Sequence, residues 1–92
     1  MIKHVEGSND RHLVFLYTLS TCVWCKKTKQ FLLDMSVKYN YIDVDLLESA
    51  QQDKIMSEIS AVNPKGGFPT IVIDKTKIIV GYQPESIKET LG

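Results

Sequence analysis

The chain has 92 residues, enough for one domain with a single modest core. Its 43% hydrophobic and 24% charged residues suit an ordinary soluble globular protein, and eleven basic side chains balance eleven acidic ones, so nothing suggests nucleic acid or an anionic membrane as partner. The N-terminal stretch MIKHVEGSNDRHLVF has no continuous apolar region before a small-residue cleavage site, and the longest apolar runs fall far short of a membrane span, so a reducing cytoplasm is expected.

Residues 1–10, with Gly7, Ser8, Asn9 and Asp10 and little periodicity, are expected to form a short, weakly ordered lead-in to a domain running over 11–92. Leu13-Val14-Phe15-Leu16-Tyr17 is a continuous apolar run of strand length, suited to a strand covered on both faces. Ser20 and Thr21 then offer N-cap side chains for a helix reaching about Met35. Cys25, Thr28, Phe31, Leu32 and Met35 form its core-facing stripe, while Lys26, Lys27, Lys29 and Gln30 lie mostly elsewhere and read as a solvated face. A second strand is predicted over 38–44 and a second helix over 48–61, with Ile55, Ile59 and Val62 at helical spacing.

Asn63-Pro64-Lys65-Gly66-Gly67 is a loop by composition. Two β-rich runs, Thr70–Ile73 and Lys77–Val80, flank Asp74-Lys75-Thr76 and predict a hairpin. Gly81 breaks the strand, Pro84 suits the first turn of a helix, and Ile87 and Leu91 give that helix an apolar face. The order is β-α-β-α-β-β-α. Helix-sized crossovers make the first strands parallel and the hairpin adds antiparallel partners, so an α/β fold with a mixed four-stranded sheet and helices on its faces is expected.

The only cysteines, Cys22 and Cys25, fall at the start of the first helix. Within a regular helix, side chains three apart have Cβ atoms about 5–6 Å apart, whereas a disulfide wants about 3.5–4.5 Å. At the first turn the leading residue is free to adjust, so the link can form yet stay reducible. Unpaired N–H groups and the helix dipole favour a negative sulfur at Cys22, and Lys26, four residues on, adds a candidate positive charge to stabilise that thiolate. Cys22 is then the exposed nucleophile and Cys25 the more buried resolving thiol. Two inert packed thiols, or a metal site shared between subunits, remain alternatives. The βαβ context favours redox use. His4 and His12 match no usual zinc spacing and read as surface residues, and Asp43 and Asp45 as strand-end and capping groups.

The strand followed by Thr21-Cys22-Val23-Trp24-Cys25, the Phe68-Pro69-Thr70 step before a hairpin, and Gly81 before a last helix together resemble the glutaredoxin family of the thioredoxin superfamily. The resemblance covers about residue 12 to the C-terminus. It implies a thioredoxin-like fold and a dithiol–disulfide oxidoreductase without a bound metal or organic cofactor. It also implies that Pro69 is a cis-proline facing the cysteine pair and holding Phe68 extended against a substrate segment. Thr21, Val23, Trp24, Phe68, Pro69, Thr70, Gly81 and Tyr82 would then form the substrate surface. Trp24 is expected to be exposed, as a partner contact or packed on Phe68.

Glutathione-using members carry a basic residue three positions before the first cysteine, where this chain has Leu19. They receive the γ-glutamyl end at the start of the last helix, where Pro84 removes an N–H and Glu85 adds a negative charge. The Gly81-Tyr82-Gln83-Pro84-Glu85 stretch is instead similar to the glutaredoxin-shaped redoxins that serve ribonucleotide reductase and are recharged by a flavin thioredoxin reductase. The 48–68 region is longer than theirs, and their basic residue before the cysteines is also absent. A monomer acting on protein disulfides, with thioredoxin reductase or else glutathione as electron donor, is expected. An iron–sulfur cluster carrier and a non-catalytic interaction module are the alternatives of other classes.

Replacing Cys22 by Ser is expected to abolish all turnover, whereas Cys25→Ser should accumulate mixed disulfides with substrate. Equal loss in both variants, with no trapped adduct on a non-reducing gel, would refute the assignment of roles.

Overall fold

The computed structural model describes residues 2–92. Its elements run β1 (Lys3–Val5), β2 (Val14–Thr18), α1 (Val23–Asp34), β3 (Tyr39–Asp43), a 3-10 turn (Val44–Leu46), α2 (Ser49–Val62), β4 (Thr70–Ile73), β5 (Lys77–Val80) and α3 (Pro84–Leu91). The predicted order is present with one strand more, because the lead-in is ordered: β1 pairs antiparallel with β3, from Lys3 opposite Tyr41 to Val5 opposite Tyr39. Three residues are too few to show an alternating pattern, so β1 is invisible to periodicity. Met1, also within the expected lead-in, lies outside the described residues.

The five strands lie in the order β1-β3-β2-β4-β5. β2 and β3 are parallel, joined by α1, and the remaining pairings are antiparallel. β2 is central, and its alternation divides the interior. Val14 and Leu16 join Leu32 of α1, Ile71 and Ile73 of β4, and Ile87 and Leu91 of α3 in one cluster. Phe15 and Tyr17 point the other way and pack with Ile42, Val44, and Ile55 and Ile59 of α2. Val62, placed by spacing on the α2 apolar face, is exposed at that helix's last residue, and the chain turns inward at buried Asn63 instead. None of the helices among the described residues is long and apolar enough to cross a membrane.

Two turns shape the ends of the sheet. In the β4–β5 hairpin the Thr76 N–H reaches the Ile73 carbonyl at 3.1 Å, and both central residues, Asp74 and Lys75, take positive φ, as a primed hairpin turn requires. Gly81, at φ +83°, redirects the chain from β5 into α3, and its N–H holds the Pro69 carbonyl at 2.8 Å.

The N-terminal segment is fastened beyond β1. The Asn9 N–H donates to the Ser36 carbonyl and its own carbonyl accepts from Lys38, while the Asn9 and Arg11 side chains donate to the Leu91 carbonyl at the end of α3. Gly7 lies flat against this turn: a Cβ there would run into the Ser36 carbonyl oxygen and the backbone of Val37 and Lys38. Gly7→Ala should therefore cost about 1–3 kcal/mol, read as a lower urea midpoint with an unchanged m-value. An unchanged midpoint would mean that residues 2–9 are not held as described.

Candidate redox site

The site forms at the C-terminal ends of β2 and β3, where α1 begins. Cys22 is the N-cap of α1: its backbone is extended, its carbonyl accepts the first helical hydrogen bond from Lys26, and its Sγ accepts from the Cys25 N–H at 3.2 Å. The expected caps, Ser20 and Thr21, stand outside the helix. A turn closed by the Cys22 N–H on the Leu19 carbonyl carries them, and the Ser20 hydroxyl and N–H both donate to Asp45. Asp45 thus braces the loop ahead of the cysteines, and the Ser20 hydroxyl, as the main cause, holds its carboxyl below the usual range.

Both cysteines carry free thiols, Cys22 partly exposed and Cys25 fully buried. Burial, followed by the adjoining Cys22 sulfur, pushes the Cys25 thiol up to about 12; the Leu19 N–H and the charge of Lys29 act in the opposite direction. One sulfur is accessible at the N-cap of α1. The other waits beneath it, protonated. An accessible sulfur above a buried one is an arrangement that stepwise thiol–disulfide exchange can use.

The expected substrate residues divide into a rim and a floor. Thr21, Val23 and Trp24 are exposed on the helix tip, and Lys26 is exposed one turn on. Trp24 stacks on Tyr82 rather than Phe68, with ring centres 6.0 Å apart and planes at 22°. Phe31 meets the Tyr82 ring edge-on, and the Lys27 ammonium lies 5.1 Å from the Trp24 ring centre. An open cleft of about 270 Å³ is lined by Trp24, Phe68, Gly81 and Tyr82. The Phe68–Pro69 peptide is cis and Pro69 is buried. Thr70 departs from expectation: it is fully buried, accepting from Asn63 at 3.1 Å and donating to the Gly67 carbonyl at 2.8 Å, so its side chain offers nothing to a substrate.

Three polar residues were not expected here. Lys29 leaves the solvated face assigned to it and reaches Asp43 Oδ1 at 3.1 Å, and Asp43 also accepts from the buried Thr18 hydroxyl at 2.6 Å. A sequence signal existed: Thr18 and Asp43 end adjacent parallel strands, where α/β sites gather. Lys29 is also four residues from Cys25 on the same helix face. His4 and His12 pair with Asn40 and Asp74, away from the cysteines.

The glutaredoxin sequence profile matches residues 14–78. A glutaredoxin structure from Methanosarcina mazei is 45% identical, covering 99% of this chain and 87% of that one with a TM-score of 0.88. Methanoredoxin from Methanosarcina acetivorans is 44% identical over 90% of this chain and 87% of its own, with a TM-score of 0.86. A glutaredoxin-like protein from a rubredoxin operon of Clostridium pasteurianum is 29% identical, covering 86% of this chain and 97% of that protein. The architecture is thus thioredoxin-like, with a Cys22/Cys25 pair in the position that the chemistry needs.

Burial of Cys25 also sets a pH dependence. A thiol titrates near pH 8.5 when unfolded but at about 12 at Cys25 in the reduced native chain. Between those values the native state holds more protons than the unfolded one, so stability falls as pH rises through the window. Tyr39, which burial also raises to about 12, adds to the decline above its ordinary titration range. Urea midpoints of the reduced protein should therefore fall from about pH 9 upward, less steeply in Cys25→Ala. Identical slopes in the two proteins would show that Cys25 is not so perturbed.

Proposed function

This chain belongs to the glutaredoxin family, and we propose that it is a dithiol–disulfide oxidoreductase that reduces protein disulfides and is recharged by a flavin thioredoxin reductase rather than by glutathione. The Cys22 thiolate attacks a substrate disulfide and forms a mixed disulfide. Cys25 then attacks Cys22, frees the reduced substrate and leaves the intramolecular disulfide for the reductase to reopen. Electrons come from the reductase and no resident metal or organic cofactor takes part. The working form is a monomer in a reducing cytoplasm.

Leu19 carries this choice of donor. A cation three residues before Cys22 would hold a carboxylate of glutathione through a charge-assisted hydrogen bond. Leu19 has no charge, and it packs inward with Ile42, Val44 and Ile59. Its backbone is used to build the site, the carbonyl accepting from the Cys22 N–H. At the other end of a would-be glutathione site, Pro84 occupies the start of α3 and Glu85 its first turn. The Trp24–Tyr82–Phe68 cleft offers broad aromatic surface, which suits a protein partner.

The test is disulfide reduction coupled to NADPH through two supplies, glutathione with its reductase or thioredoxin reductase from the source organism. Turnover with thioredoxin reductase alone is expected. Turnover with glutathione alone would show that other groups compensate for Leu19 and Pro84 and would refute the proposed donor. Silence in both would refute the oxidoreductase assignment.

A further inference from the structure

The dithiol mechanism leaves unexplained why Lys29 is drawn inward. It lies one turn beyond Cys25 on α1, so the two side chains share a face. Its side chain is only 21% exposed, with Nζ 4.0 Å from the Tyr41 ring centre and 3.1 Å from Asp43 Oδ1. Asp43 is itself 16% exposed and anchored by Thr18. A lysine on a helix surface ordinarily keeps its head in water. Here the ammonium is held between α1 and β3, on the side of the helix that buries Cys25.

Cys25 has a corresponding need. Its sulfur is fully buried and must lose a proton before it can attack Cys22. The ionisable groups that act on Cys25 are Cys22 at the helix start and Lys29 on the same helix, with Tyr41 and Asp43 of β3 against Lys29 and Asp45 against the loop before the helix. Of these, Lys29 bears the positive charge.

We propose that Lys29, pinned by Asp43, is a positioning residue for the resolving step, supplying the charge that holds the Cys25 thiolate; this rests on the dithiol mechanism above. In that step the Cys25 S–H gives its proton to water. Its sulfur bonds to the Cys22 sulfur, and the bond between Cys22 and the substrate sulfur breaks. The substrate sulfur leaves with the electron pair and takes a proton from water, while the two chain sulfurs end oxidised as a disulfide. The charge of Lys29 opposes the effect of burial on Cys25.

Stopped-flow reaction with a chromogenic aromatic disulfide, dithiobis-nitrobenzoate, separates the steps without a physiological partner. The first thiol released reports attack by Cys22 and the second reports attack by Cys25. In Lys29→Met and Lys29→Gln, the first release should keep its rate while the second slows. A tenfold loss of thiolate is offset about threefold because a more basic sulfur is a better nucleophile, so the second release should slow about threefold, or about tenfold for a hundredfold loss. Its rise with pH should move to more alkaline values, and Lys29→Arg should restore most of the rate. Gln keeps a polar N–H donor on a chain of similar shape without the charge, which separates charge from packing. An unchanged second release in Met and Gln, or equal slowing of both releases in all three variants, would overturn the proposal. A wild type that gives no second release would overturn the dithiol mechanism along with it. Two normal releases with no turnover on thioredoxin reductase would overturn the choice of donor alone.

Discussion

The hydrogen bond from the Cys25 N–H to the Cys22 sulfur joins the fold to its chemistry. A helix begins with N–H groups that lack partners, and here a sulfur supplies one where Ser, Thr, Asp or Asn usually would. The cap therefore fixes the Cys22 sulfur at the open end of α1, so that one contact both starts the helix and presents the sulfur. The surrounding contacts fix this one helix end in space. Asp45 holds the loop before it through Ser20, and the Leu19 carbonyl closes the turn on the Cys22 N–H.

The same geometry makes the two thiols unequal. They are three residues apart on one helix, but Cys22 sits at its mouth and Cys25 beneath, with no exposed surface. An incoming disulfide meets the first sulfur and is kept from the second. In the proposed mechanism, reaction order then follows from this burial, with Cys25 reacting after Cys22 has bonded to the substrate. The hindrance that protects Cys25 also raises the cost of charging it. A fixed ammonium near such a group retains more of its effect than one in water, since a partly buried charge is less screened. Lys29, held by Asp43 and Tyr41, is the cation so placed.

Much of this was legible in the chain. A continuous apolar run marked β2, β-rich runs marked β4 and β5, and the Asp74-Lys75-Thr76 hairpin and the Pro84 helix start lie where turn and capping chemistry placed them. The spacing and location of the cysteines distinguished an outer from an inner thiol. What escaped depends on long-range partners. β1 is recognisable only by pairing with β3, thirty-odd residues away. Ser20 has the chemistry of a helix cap, but Asp45 captures its hydroxyl first. Thr70 sits beside the cis-proline in sequence, yet its side chain is buried under the loop after α2, bonded to Asn63 and to the Gly67 carbonyl. Lys29 resembles its neighbours Lys26 and Lys27 until the sheet places Asp43 beneath it.

The rim of the site bears on how the proposed partners would be recognised. Trp24 comes from the tip of α1 and Tyr82 from the turn before α3, and their stack spans the two segments that frame Cys22. A small charged tripeptide would need cations and free N–H groups at the two ends of that frame. One end presents Leu19 packed inward and the other Pro84 and Glu85. Between them lie aromatic faces and the Phe68 step, a surface that gains free energy by covering area rather than by matching charges. A folded partner can cover such a surface and present its own disulfide or dithiol to Cys22 at the same time. In the proposed function, selection between donors is therefore made at the rim, while the sulfur chemistry beneath stays the same for whatever the rim admits.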